Sequence, residues 1–154
     1  MTVAHLHLLL NHVPMIGIVG VVLLFALALR RRSDELTRIA LGLTVALALT
    51  AGAVFLTGEP AEELVEHLPG FDDAIVERHE EAALVATIAF GALGALAAGL
   101  LLWARRHVLP RRTAMLGLAG ALALTAVVGW TANLGGMIRH TEIRPDTADL
   151  PQGE

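Results

Sequence analysis

Histidine is the residue type in this chain best suited to chemistry. Six of its seven histidines, His5, His7, His12, His67, His79 and His140, lie toward one side of its apolar runs. There is no cysteine, which excludes disulfides, thiolate metal sites, iron–sulfur clusters and covalently attached c-type haem. Imidazole is the commonest protein metal ligand and the usual axial ligand of haem iron. Two histidines from different helices, His12 with His79 or His140, would ligate a b-type haem. Arg78 and Arg139, beside His79 and His140, would hold its propionates by charge-assisted hydrogen bonds. A non-haem transition metal is the alternative, held by His7, His12, Glu59, His79 and His140. Carboxylates such as Glu59 or Glu63 suit manganese or non-haem iron and also bind zinc. No closely spaced motif such as His-Glu-x-x-His is present. Each histidine also has a plain reading: interfacial residues in water for His5, His7 and His67, an interhelical hydrogen bond for His12, and helix-end polarity for His79 and His140. His107, among arginines, reads as a solvated loop residue.

The elements that must position these groups are apolar. Of 154 residues, 55% are hydrophobic and 17% charged, with a mean hydropathy of +0.66, against about 25% charged in a soluble domain. Four long runs stand out, at about 6–29, 39–57, 82–104 and 114–137. Each is near or above the ~20 residues a helix needs to cross a bilayer core. Backbone groups in lipid must be satisfied internally, so the runs are expected to be helices. The expected fold is all-α, a four-transmembrane-helix bundle over 1–144 followed by a polar, mobile tail over 145–154. The first run is not expected to be a cleaved leader, because its arginines, Arg30, Arg31 and Arg32, follow the apolar stretch. A formal charge of −4 and a pI near 5.9 give no reason to expect a nucleic-acid partner.

All 11 basic residues are arginine, and eight of them lie in the loops after the first and third runs: Arg30, Arg31, Arg32, Arg38, Arg105, Arg106, Arg111 and Arg112. The positive-inside rule assigns that side to the cytoplasm, so both termini and the loop from Gly58 to Glu81 are expected to face outward. That loop is acidic, with Glu59, Glu62, Glu63, Glu66, Asp72, Asp73, Glu77, Glu80 and Glu81 against Arg78 alone. Helical rise from the arginines puts His12 roughly 27 Å up, Glu59 roughly 31 Å, His5 and His7 near 35–38 Å, and His79 and His140 near 40 Å. These levels are compatible with one site. Trp103 and Trp130 read as interface anchors. The glycines serve close helix packing or leave room for a flat macrocycle.

A shift of 75 residues overlays the two halves. Residues 41–51 match 116–126 at nine of eleven positions, and Arg30-Arg31 falls on Arg105-Arg106. Two tandem-duplicated helical hairpins would be related by a pseudo-twofold axis along the membrane normal.

The segment His7-Leu-Leu-Leu-Asn-His12-Val-Pro14 opening the first run resembles the start of a bacterial membrane-protein family known as domain of unknown function 2231. Thr57-Gly58-Glu59, His79, Gly129-Trp130, Gly135-Gly136 and Arg139-His140 are similar to that family's pattern, from His5 to about Arg144. This chain departs from it at Val13, where an aromatic residue is common, and in a longer acidic loop. The resemblance implies four spans, a bacterial inner (cytoplasmic) membrane, and a place near membrane electron transfer, since some members are joined to Rieske-type or cytochrome c domains.

The expectation is therefore a membrane redox module binding b-type haem near the extracytoplasmic face. It would exchange electrons with a quinol or with a cytochrome or Rieske-type partner. The alternatives are a non-haem metal protein binding copper, zinc or iron, and a cofactor-free structural subunit of a membrane complex. The bilayer is the expected surrounding, and a homodimer or larger membrane complex fits the small-residue faces.

Overall fold

A computed structural model describes residues 2–64, 66–67 and 71–144. Helix α1 spans Val3–Arg31, α2 Asp34–Leu56, the short α3 Gly58–Glu62, α4 Asp73–Ala104 and α5 Arg111–Arg139, with a 3-10 turn at Thr141–Ile143. There is no strand among the described residues. The polar tail expected over 145–154 lies outside them.

Each boundary has a local cause. Thr2 caps α1 by accepting from the His5 amide, Ser33 caps α2 by accepting from Leu36, and Asp72 caps α4 by accepting from Ala74 and Ile75. Such side-chain oxygens satisfy amides that have no partner inside the helix. Arg32 ends α1 in the left-handed region at φ 51°, its amide returning to the Ala28 carbonyl, so α1 and α2 meet in a tight turn. Asp72 starts α4 well before the apolar run at 82. His79 therefore sits on a helix, not in a loop.

Helices α1 and α4 each pack on both α2 and α5, which puts α1 diagonal to α4 and α2 diagonal to α5. The result is an antiparallel four-helix bundle. Ile18, Val21 and Phe25 of α1 meet Leu41 and Leu47 of α2, Phe90 and Ala97 of α4, and Ala121 and Leu124 of α5 in the core. Gly94 allows α4 to lie directly on α2, since a β-carbon there would come 2.4 Å from that of Ala48. The outer faces are apolar too: Leu49 is 74% exposed, Leu56 78% and Leu116 71%. Four helices are long and apolar enough to cross a membrane, and faces of this kind suit lipid, not water. The chain is a multi-pass membrane protein.

The diagonal pairing is what a pseudo-twofold requires, but burial does not follow the sequence repeat. At an offset of 75, every buried residue of α2 lands on an exposed residue of α5; Leu41 is 4% exposed and Leu116 71%. The buried faces instead repeat at 76 and 77. Pro14, Ile18, Val21 and Ala28 correspond to Phe90, Gly94, Ala97 and Ala104, while Thr37, Thr44 and Leu47 correspond to Ala114, Ala121 and Leu124. One residue turns a helix by about 100°, so the identical segments present different faces.

Two polar clamps close the ends. At the arginine end, Arg38 donates from Nε to Asp34 Oδ2 (2.6 Å), from Nη1 to the Ala104 carbonyl (2.8 Å) and from Nη2 to the His107 carbonyl (2.9 Å). Asp34 Oδ1 accepts from the Leu109 amide at 2.8 Å. At the end carrying both termini, Arg144 donates to the Met137 and Ile138 carbonyls and lies 3.6 Å from Asp72.

Candidate functional site

The end carrying both termini brings two imidazoles inward from diagonal helices. His7 of α1 and His79 of α4 are each half-buried, and they lie within electrostatic range of each other. Thr57, at the end of α2, donates its hydroxyl to the Val54 carbonyl at 2.8 Å. Its lone pairs are thus left to accept from His7 Nδ1 at 3.1 Å. His79 Nδ1 donates to the Thr131 carbonyl of α5 at 3.0 Å. A carbonyl can only accept, so this assigns the proton to Nδ1 and leaves Nε2 with its lone pair. The His79 ring thus carries the tautomer of a metal-bound histidine, in which the outer nitrogen is held by a neighbouring oxygen, and His7 has the same Nδ1-to-oxygen arrangement.

Gly135 makes this packing possible. A β-carbon there would lie 2.9 Å from His79 Cε1, so the imidazole rests on bare α5 backbone. The room that this glycine leaves is taken by the His79 ring.

The other candidates lie elsewhere. His12 is at a compatible depth but on the outer face of α1, exposed, with Nδ1 bound to the Leu8 carbonyl of its own helix at 2.6 Å. His5 shares that exposed face and bonds Thr2 at 2.8 Å. His140, exposed at the end of α5, pairs with Glu142 at 2.9 Å. The Glu142 carboxyl is held below the usual carboxylate range by its own backbone amide first, and then by His140. Arg139, Arg78 and Glu59 are exposed. His67 is exposed beside Glu66, and His107 is exposed with its ring stacked on Trp103 at 4.4 Å. The structure thus brings together His7 and His79, and does not bring His12, His140, Glu59 or Arg139 to them.

An acidic pair borders the histidines. Glu62 of α3 and Glu80, next to His79 on α4, share a hydrogen bond. Burial first, then that bond and the negative charges of Glu80, Glu66 and Asp73, push the Glu62 carboxyl up to about 7. Near neutrality the pair therefore holds a proton part of the time.

Among the described residues no group of three or more histidine, aspartate or glutamate side chains could hold a metal ion. A bare ion needs three or four protein donors. Haem iron needs only its axial ligands from the protein, and two imidazoles fit that need in donor type. The signals missed in the sequence are Thr57 and Thr131, which orient the rings. Nothing in the spacing marks them as partners of histidines some 50 residues away.

The chain matches no protein-family model, no curated protein and no solved structure.

Proposed function

We propose that this protein is a membrane electron-transfer module that holds b-type haem between His7 and His79, at the end of the bundle carrying both termini. The observation that carries the reading is the pair itself: two half-buried imidazoles from diagonal helices, each with its Nδ1 held by an oxygen of a neighbouring helix. Bound there, haem supplies a one-electron couple. Thr57 and the Thr131 carbonyl hold the rings in orientation and tautomer, which raises their basicity as ligands. The carboxylates of Glu62 and Glu80 favour the more positive, oxidised state and so lower the potential, while the apolar bundle raises it by limiting water.

The arginine-rich loops assign the opposite end to the cytoplasm, so the pair faces the extracytoplasmic side of a bacterial inner membrane. Electrons would pass between a quinol in the bilayer and a partner such as a cytochrome or Rieske-type domain. The motif resemblance to domain of unknown function 2231 points the same way.

The test is a visible absorption spectrum of detergent-purified protein made with haem available, air-oxidised and then dithionite-reduced. A Soret band with α and β bands that sharpen on reduction is expected. His7→Ala and His79→Ala should each remove the low-spin spectrum, while His12→Ala and His140→Ala should leave it unchanged. A featureless wild-type spectrum overturns the reading, as does loss on His12→Ala with retention on His79→Ala.

A further inference from the structure

The opposite half of the bundle contains a cavity of about 500 Å³ with no link to the histidines. It reaches the core at Ile18 and Phe25, and it opens between α4 and α5 past Leu96 and Leu116, which are 65% and 71% exposed. Its volume lies within the ~300–1,000 Å³ range of small-molecule sites. The walls are almost wholly apolar. Trp103 and Arg112 stand at the end nearest the arginine loops, and Arg112 is the only charged residue in the lining. Among the described residues the guanidinium of Arg112 makes no ion pair, whereas Arg38 is consumed by Asp34. Around it, the loops of this end carry eight arginines against Asp34 and Glu35.

An apolar slot entered sideways from the lipid phase, with one unpaired cation at its interfacial end in a strongly positive field, matches an amphiphile with a chain and an anionic head. We propose that the cleft between α4 and α5 is a binding site for an anionic phospholipid, one acyl chain lying in the slot and its phosphate on Arg112. Basic pockets between transmembrane helices recognise anionic head groups through this charge complementarity. A zwitterionic headgroup also offers a phosphate, but it brings its own ammonium into a field already made positive by the surrounding arginines, so a net-anionic head is favoured.

Trp103 gives a direct readout. In a Trp130→Phe background Trp103 is the only tryptophan, and chain-brominated lipids quench it on contact. The protein is reconstituted in phosphatidylcholine vesicles containing a minor fraction of brominated phosphatidylglycerol or, separately, brominated phosphatidylcholine. Half-quenching is expected at a roughly fivefold lower fraction of the anionic lipid, the factor that one arginine on one anionic head group carries. Arg112→Gln should abolish that preference, while Arg106→Gln, outside the cleft, should keep it. Equal quenching by the two lipids overturns the proposal. So does a preference lost equally in both variants, which would reflect surface charge alone. If Arg112→Gln does not fold, native mass spectrometry of the wild-type chain decides: a single retained phosphatidylglycerol supports the site, and a retained quinone or no adduct overturns it. None of these outcomes depends on haem.

Discussion

At the scale of single residues, protonation and direction matter more than residue type. His7 and His12 stand five positions apart on one helix, and that spacing turns them to different sides of α1. His7 faces Thr57, while His12 faces outward and bonds its own backbone. Glu62 shows how neighbours set a proton. Its carboxyl is raised from 4.5 to about 7, so between those values the folded protein keeps a proton that the unfolded chain releases. Stability is then full below about pH 4.5 and falls as pH rises through about 7. Water screens this part-exposed pair, leaving an effect on the order of 1 kcal/mol, or about 2–4 °C in Tm. Thermal unfolding in detergent between pH 5 and 8.5 should show that decline, and Glu62→Gln should flatten it. An equal decline in the variant would assign the effect to other groups.

At the scale of elements, the bundle is held by packing along its length and by polar clamps at its ends. The C-terminal carbonyls of a helix lack internal partners; Arg38 donates to that of Ala104, the last residue of α4, and to the His107 carbonyl in the loop that follows. Because Arg38 is itself oriented by Asp34, and Asp34 also takes the Leu109 amide, the start of α2 fixes the whole turn into α5. Arg38→Ala removes three charge-assisted donors at once, which should cost about 2 kcal/mol, roughly 4–8 °C in Tm. Arg38→Lys should recover little of it, since one ammonium does not reproduce the planar fork that reaches Asp34 and two carbonyls together. Thermal unfolding of the two variants beside wild type measures this; full recovery by lysine would show that charge alone matters.

At the scale of the whole molecule, the two ends are chemically opposite. One gathers eight arginines, and the other gathers the acidic loop, the inward histidine pair and most of the remaining histidines. Such an asymmetry orients a membrane protein. The absence of native cysteine makes the orientation directly readable by labelling. Glu63→Cys, near the termini, should react with a membrane-impermeant maleimide in intact cells. Arg106→Cys, at the arginine end, should react only after permeabilisation. The reverse pattern would place the histidine pair on the cytoplasmic side. The same asymmetry separates the two candidate sites, one at each end, joined only by an apolar core that carries no ionisable group.

The sequence by itself determined the number of membrane-length helices, their apolar character and the gathering of histidines at one end. These follow from run length, hydropathy and helical rise, all of which are local and additive along the chain. It also placed His7, His12, His79 and Glu59 at compatible depths. What it left open was azimuth: which way each side chain turns about its helix axis, and which helices are diagonal. In lipid both faces of a helix are apolar, so the hydrophobic pattern that marks the buried face of a soluble helix is weak here. Leu41 and Leu116 are identical in type and equivalent in the repeat, yet one is core and the other faces out. The tertiary structure decided that by close contacts such as Gly94 on Ala48 and His79 on Gly135. It turned His7 and His79 inward and His12 outward, because packing fixes rotation where hydropathy cannot.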